Sequence, residues 1–203
     1  LNGHTLTIKG DLIQAGGTMY CNNGTLNVEG DYRIQKATTD SDGKVTYGES
    51  NGTLRMVNEA DQINVSGDFI TQSTSSNYST YFSNDFTAGT LTIKGNFSQF
   101  YGTNCGGQNF VASGTHKVVL DGNGVQTVTF ESSQSHFNEL VVGTDTRLYW
   151  RGDFVINPLL HDLTIYNSVT MSSANTINLN GHTLTIKGDL IQAGGTMYCN
   201  NGT

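Results

Sequence analysis

The sequence predicts an all-β protein: a parallel β-helix, or β-solenoid, that is right-handed and continues across the boundary between repeats. Three observations predict this fold. Residues 1–25 return unchanged at 179–203, a shorter strand–corner–strand motif recurs between them, and the composition favours strands and turns over helices.

The long repeat defines the organisation of the chain. Residues 1–178 form one complete unit, and residues 179–203 begin an identical second one. The stretch NTINLNGHTLTIKG (175–188) crosses the boundary without the composition of a linker, so we expect one continuous stack of strands. The chain also starts inside a motif and without Met, and we interpret it as a window from a longer array.

The composition narrows the possible partners. Gly accounts for 25 of the 203 residues and charged residues for 13%, and this pattern disfavours helices. The net charge is −7 and the Lys and Arg residues are scattered, so we expect no nucleic-acid partner, since phosphate binding requires clustered cations. No apolar run approaches the ~18 residues of a membrane span, so none is predicted in this window.

The short motif is an alternating strand, a Gly-Asp or Gly-Asn corner and a second alternating strand. It occurs at 4–14, 24–35, 62–72, 89–100, 149–157 and 182–192. We expect each Gly to adopt a backbone conformation closed to residues with a Cβ, and each Asp or Asn to hydrogen-bond backbone at the corner. The predicted corner residues are Gly10, Asp11, Gly30, Asp31, Gly67, Asp68, Gly95, Asn96, Gly152, Asp153, Gly188 and Asp189.

The alternation also predicts which side chains point inward, where each layer would pack on the next about 4.8 Å away. The predicted stacking core consists of Leu6, Ile8, Leu26, Val28, Leu91, Ile93, Val118, Leu120, Leu184 and Ile186. The motifs are unevenly spaced, so we expect inserted loops, including hairpin-like excursions at 37–51 and 75–86. The alternative is a β-sandwich in each repeat with a strand crossing the boundary.

Residues 114–140 (GTHKVVLDGNGVQTVTFESSQSHFNEL), with the runs LTIKGDLIQAGGT and GTLNVEGDYRIQ, resemble the long repeats of very large secreted proteins of clostridia-like bacteria. The resemblance covers most of residues 1–140 and fades across 141–174. It implies a β-solenoid type of fold and an extracellular or surface-attached location. Because its motifs are structural, it carries no catalytic residue.

The cysteines allow more than one arrangement. One repeat contains Cys21 and Cys105, and Cys199 is the second copy of Cys21. A disulfide could join Cys21 to Cys105, or Cys105 to Cys199, and two separate free thiols per repeat are the other possibility.

Few residues suggest chemistry. Asp40-Ser-Asp42-Gly43 has features of a calcium loop, the one cofactor that the sequence suggests, but it lacks a third acidic position and also fits a hairpin turn. An Asp that recurs at every corner is typical of a turn former, and no nucleophile elbow holds a Ser beside a His. We therefore predict no catalytic residue.

Three functions remain open. The first is a structural repeat of a bacterial extracellular rod or fibre, whose partners are adjacent copies joined covalently or head to tail. The second is a polysaccharide-binding adhesin that uses Tyr78, Tyr81 and Phe82 of the loop SSNYSTYFSNDF, although these rings could instead fold back onto the strands. The third is a polysaccharide lyase or hydrolase, which requires carboxylates converging on one face.

Overall fold

The computed structural model describes residues 1–75, 85–152, 158–171 and 176–203, which form strands and turns and no helix. The first eleven strands are β1 (Thr5–Ile8), β2 (Leu12–Ile13), β3 (Thr18–Tyr20), β4 (Thr25–Val28), β5 (Tyr32–Ile34), β6 (Lys36–Thr39), β7 (Val45–Gly48), β8 (Thr53–Arg55), β9 (Gln62–Val65), β10 (Phe69–Thr71) and β11 (Thr90–Ile93). The next eleven are β12 (Phe97–Gln99), β13 (Lys117–Leu120), β14 (Gly124–Phe130), β15 (Glu139–Val142), β16 (Thr146–Gly152), β17 (Leu163–Ile165), β18 (Val169–Met171), β19 (Thr176–Asn178), β20 (Leu184–Ile186), β21 (Leu190–Gln192) and β22 (Thr196–Tyr198).

These strands pair mostly in parallel. One sheet has six strands in the order β1-β4-β9-β11-β13-β15, and a second has eight in the order β2-β5-β10-β12-β14-β16-β17-β20. Three smaller parallel sheets are β3-β8, β18-β21 and β19-β22. Within the described ranges, β6-β7 is the one antiparallel sheet. The all-β class is confirmed, and the pairing is largely parallel.

The register of the six-stranded sheet follows from the alternation in the sequence. Inward aliphatic residues lie opposite one another along the sheet, because successive side chains of a strand point to opposite faces. One such column contains Leu6, Leu26, Ile63, Leu91, Val118 and Leu140. Another contains Ile8, Val28, Val65, Ile93, Leu120 and Val142.

Aromatic rings form the inner side of the eight-stranded sheet. Tyr32, Phe69 and Phe97 occupy paired positions on β5, β10 and β12. The Phe69 and Phe97 rings stack 5.8 Å apart, and Phe97 also lies 5.1 Å from Phe130. All four side chains are buried. Stacked rings bury large areas between layers and hold the rings in a preferred geometry.

Strands at the two ends of the chain differ from the expected core. Leu6 is 40% exposed, and Ile8, Leu184 and Ile186 are only partly buried. These four residues keep the predicted register, since each lies opposite an aliphatic residue of the neighbouring strand, but they are not fully buried. Each lies on a strand paired on one side only, so one side of its inward side chain remains open.

Two long strands change the pairing pattern of the eight-stranded sheet. β14 pairs with β16 along seven residues, but β12 pairs only with the last three, Val128 to Phe130. β17 pairs with the first half of β16, at Leu148. Consequently β20, which has the same sequence as part of β1, lies in the eight-stranded sheet, whereas β1 begins the six-stranded one.

Candidate functional site

The Gly-Asp corners form a column of hydrogen bonds between successive segments of the chain. Each segment, here called a layer, consists of one strand of the six-stranded sheet and the strand that follows it in the eight-stranded sheet, such as β1 and β2 or β4 and β5. Asp11 Oδ1 accepts the Asp31 N–H at 2.8 Å, and Asp31 Oδ1 accepts the Asp68 N–H at 2.8 Å. Asp68 Oδ1 in turn accepts the Asn96 N–H at 2.7 Å, and Asn96 Oδ1 accepts the Thr127 N–H at 2.8 Å. Each corner side chain therefore bonds the backbone of the next layer, and a row of N–H groups that a turn leaves free is satisfied.

Glycine is required at the corners for a different reason from the one expected. None of Gly30, Gly67 and Gly95 has a positive φ. The prediction of a backbone conformation that residues with a Cβ cannot adopt is therefore wrong. A Cβ on Gly67 would overlap Asp31 Oδ1 and lie 2.8 Å from the Gly30 carbonyl carbon. Gly is present because the preceding layer approaches its backbone closely.

The ends of the corner column differ in their surroundings. Nothing lies within 4 Å of a Cβ built on Gly10, which belongs to the first layer. At the other end, Gly188 packs against Ser168, whose hydroxyl accepts the Asp189 N–H at 2.9 Å. Gly152 ends β16, and Asp153 lies outside the described residues.

Buried glutamines form a second polar feature, which the sequence reasoning missed. Gln14 donates to the Gly17 and Thr53 carbonyls and accepts the Tyr32 hydroxyl at 2.6 Å. Gln99, fully buried, bonds Asn109 at 2.9 Å. The available signal was a Gln at the end of the strand after five of the six predicted corners, all but the one at Gly152-Asp153. These amides satisfy backbone groups where the strands turn.

Asp61 was also missed, and it joins two layers. The side chain is fully buried, and its Oδ1 accepts the Asn23 N–H at 2.6 Å. Its Oδ2 accepts the Val57 and Asn58 N–H groups at 2.8 and 3.0 Å. A buried carboxylate needs several such donors to offset its loss of hydration. Asp61 belongs to no repeated motif, so the sequence offered no signal for it.

The chain matches no protein-family model, no curated protein and no solved structure. The described residues include no helix that is long and apolar enough to cross a membrane. They also include no group of three or more His, Cys, Asp or Glu side chains that could hold a metal ion.

The three cysteines are free thiols, so the possible disulfides among Cys21, Cys105 and Cys199 do not form. Burial, and then the nearby Asp61 carboxylate, raises the pKa of Cys21 to about 12. Burial likewise raises the pKa of Cys105. Such thiols stay protonated and are poor nucleophiles. Cys199 has the same sequence surroundings as Cys21 but is exposed.

The calcium candidates lie in a hairpin turn. Asp40 and Asp42 connect β6 to β7, and Asp40 Oδ1 accepts the Asp42 and Lys44 N–H groups at 3.0 and 2.9 Å. Gly43 has a φ of 79°, as this turn requires. These bonds favour the turn interpretation, and the expected excursion at 37–51 is confirmed as a hairpin.

The aromatic residues proposed to contact glycan, Tyr78, Tyr81 and Phe82, lie outside the described residues. Other surface features are described. A shallow groove of about 520 Å³ on the outer side of the six-stranded sheet is lined by polar residues that include Asn27 and Asn64. Their amides bond each other at 2.9 Å, so much of this surface already satisfies itself.

A separate outward face combines aromatic and cationic side chains. Arg147, Tyr149 and Arg151 alternate along β16, and both arginines are exposed. Tyr149 stacks with Tyr166 of the next layer at 6.5 Å between ring centroids. Neither arginine has an ion-pair partner in the described part of the chain. These four residues form an outward surface suited to a planar or anionic ligand, in which the two arginines and Tyr166 are exposed and Tyr149 is half-buried.

His116 is a buried group with an unusual environment. It is fully buried between Phe86 and Phe110, and neither ring nitrogen has a hydrogen-bond partner. Burial lowers the pKa of His116 to about 3. The ring therefore packs as a neutral aromatic group and cannot serve as a base at neutral pH.

Proposed function

We propose that this chain is a structural repeat of an extracellular or cell-surface rod or fibre, built as a right-handed β-solenoid that continues from one repeat into the next. The observation that supports it best is the in-register parallel stacking of successive segments. β1, β4, β9, β11, β13 and β15 follow one another both along the chain and across the sheet. This order is typical of a chain that winds one layer upon another.

The parallel pairing also argues against a β-sandwich in each repeat. Sandwiches are built from antiparallel sheets joined by hairpins and Greek-key connections. Here the one described hairpin, β6-β7, extends away from the stack with an exposed tip. A β-solenoid explains both the parallel sheets and the tolerance of inserted loops of unequal length.

The dimensions follow from the layer spacing. Seven strands from β1 to β17 open successive layers before β20 restarts the repeat. At about 4.8 Å per layer, one repeat would rise roughly 34 Å. Such a unit lengthens the rod without widening it, and this is the property of a scaffold. The proposed location outside the cell depends on the resemblance to secreted repeat proteins.

Electron microscopy of three tandem repeats at low micromolar concentration tests this function. We expect rods about three times ~34 Å long, or fibres that grow from them. A four-repeat chain should give rods that are longer by about 34 Å, and it is the length control. Separate globular particles joined in a chain would contradict the proposal.

Polysaccharide binding is the second candidate, and the outward face of Arg147, Tyr149, Arg151 and Tyr166 favours it. Tyrosine rings pack on sugar rings, and a guanidinium pairs with carboxylates in a forked geometry. An acidic polysaccharide therefore fits this face better than a neutral one. In a rod the face would recur once per repeat, and many weak contacts would add up.

Retention on immobilised polygalacturonate, with dextran as the neutral comparison, tests the second candidate. The double variant Arg147→Ser/Arg151→Ser should lose most of its retention at low salt, whereas Tyr101→Ala, which alters an exposed ring elsewhere, should not. Equal retention of all variants would remove this function and leave the structural one unaffected.

A further inference from the structure

The same 25 residues occur in two different environments. In the first copy, β1, β2 and β3 are covered on the side of the following layer by β4, β5 and β8. In the second copy the equivalent β20, β21 and β22 are covered on the opposite side, by β17, β18 and β19. Together the two copies show a partner for both edges of every strand in the segment.

The open face of the second copy is apolar. A cavity of about 380 Å³ is lined by Leu184, Ile186, Leu190, Met197 and Cys199, among others. Leu190 is 39% exposed and Cys199 is exposed. In the first copy, the equivalent Cys21 is fully buried because the next layer covers it.

Polar groups at this end are also left without the partners that the first copy has. Asn23 donates its N–H to Asp61 at 2.6 Å, whereas the N–H of the equivalent Asn201 has no protein acceptor among the described residues. Asp11 Oδ1 accepts the Asp31 N–H. In the second copy, Asp189 occupies the place of Asp11 and has no layer above it.

The chain leaves the second copy in the direction that it takes in the first. The Thr25 N–H bonds the His4 carbonyl at 3.1 Å, and the equivalent Thr203 N–H bonds the His182 carbonyl at 3.3 Å. Thr203 therefore already lies over the start of its own layer, as Thr25 does. The residue that follows it would enter directly above Leu184.

We infer that residues 179–203 form a docking end for residues 26–61 of a further copy of this repeat. The register is the one that residues 1–25 already show: Leu26 over Leu184, Tyr32 over Leu190 and Leu54 over Met197, with Asp61 accepting the Asn201 N–H. This inference rests on the proposed stacking function and adds its partner, its register and its contacts.

The docking has a consequence for the whole array. β20 is the last strand of the eight-stranded sheet and is equivalent to β1, the first strand of the six-stranded sheet. Docking therefore joins the eight-stranded sheet of one repeat to the six-stranded sheet of the next. The face that carries the eight-stranded sheet in one repeat would therefore carry the six-stranded sheet in the next. No strand edge at the junction would remain unpaired.

The rate at which a thiol reagent modifies Cys199 tests the docking. The 203-residue chain is compared with the same chain extended by a second copy of residues 26–203, and every other Cys in both chains is replaced by Ala. We expect Cys199 to react at least ~100-fold more slowly in the extended chain, because the new layer buries it as it buries Cys21. Equal rates in the two chains would overturn the inference.

A matched pair of substitutions tests the register. Leu54→Ala in the appended copy should raise the rate of Cys199 modification, because that residue covers Met197. The same Leu54→Ala in the first copy, which lies over Met19, should leave the rate unchanged. Equal effects of the two variants would contradict the proposed register.

The result is separable from the test of the proposed function. Protection of Cys199 in a chain that forms no rods would support the docking while removing the rod. Rods in which Cys199 reacts freely would support the stacking function and overturn this junction.

Discussion

Gly67 shows how one missing side chain permits the layers to pack. Its Cα lies so close to the preceding corner that a Cβ would meet both Asp31 Oδ1 and the Gly30 carbonyl. Gly10 occupies the same place in the motif, but nothing lies within 4 Å of its Cβ position. The two glycines therefore share a sequence context and differ only in whether a layer precedes them.

We expect Gly67→Ala to lower the free energy of unfolding by about 2–3 kcal/mol, because backbone must shift to relieve the overlap. Gly10→Ala is the matched control and should change it by less than ~0.5 kcal/mol. Urea denaturation followed by circular dichroism measures both. Similar losses at the two positions would show that backbone conformation, not close approach, requires Gly.

His116 makes stability depend on pH. The folded protein holds its pKa near 3, whereas an unfolded chain has an ordinary value of 6.5. The unfolded state therefore binds more protons between these values. The contribution to stability is complete above pH 6.5 and is lost as the pH falls toward 3.

We expect the native chain to lose about 2 kcal/mol more than His116→Leu when the pH falls from 7 to 4.5. Unfolding free energies at several pH values measure this difference. His4→Gln, at an exposed position, should follow the native profile. Parallel profiles for the native chain and His116→Leu would exclude His116 as the source.

At each corner of the column, a side-chain oxygen accepts a hydrogen bond from a backbone N–H of the next layer. Asp31 accepts the Asp68 N–H and pairs with Arg33 at 2.7 Å. The column accepts Asn as well as Asp, since Asn96 fills the same role. Its chemistry therefore requires an acceptor oxygen rather than a charge.

Asp31→Ala should cost about 1–3 kcal/mol of unfolding free energy, because the Asp68 N–H is left unsatisfied. Asp31→Asn keeps the acceptor and should recover most of that loss. Denaturant titration of both variants distinguishes the two effects. Equal destabilisation by Ala and Asn would assign the contribution to the charge instead.

The β6-β7 hairpin is an excursion from the parallel sheets. Its tip is exposed throughout residues 39–45. Replacing these seven residues by Asn-Gly keeps the Thr38–Thr46 pair and supplies a two-residue turn. We expect the thermal midpoint to stay within a few degrees, and a loss of cooperative unfolding would show that the hairpin supports the stack.

Across the molecule, stability should rise from the ends toward the middle. β1 and β20 are each paired on one side, whereas β9 and β11 are paired on both. In a stacked array each layer is stabilised chiefly by its neighbours. Hydrogen–deuterium exchange should therefore be slowest for the strands β9 to β12, within residues 62–71 and 90–99, and fastest at 1–25 and 179–203. Uniform protection along the chain would contradict this layered view.

Sequence patterns that extend over a few residues predicted most of the local structure. The alternation in TLTI and TLNV predicted strands at Thr5–Ile8 and Thr25–Val28, and Asp-Gly predicted the β6-β7 turn. These signals are local because side-chain direction and turn conformation depend on adjacent residues. They located the corners at Gly30, Gly67 and Gly95 but assigned a wrong cause to these glycines. The corner predicted at Gly152-Asp153 falls at the end of β16 and beyond the described residues.

The sequence alone determined the period and the strands and corners of the regular motifs, since identical letters and alternation are visible without coordinates. Only the tertiary structure decided which groups meet across layers. Asp31 bonds a backbone N–H 37 residues away, and Asp61 bonds one 38 residues away. Loops of unequal length separate such partners, so no fixed spacing reveals them. The transfer of the second copy of β1 to the other sheet likewise depends on the long strands β14 and β16, whose pairing no local pattern specifies.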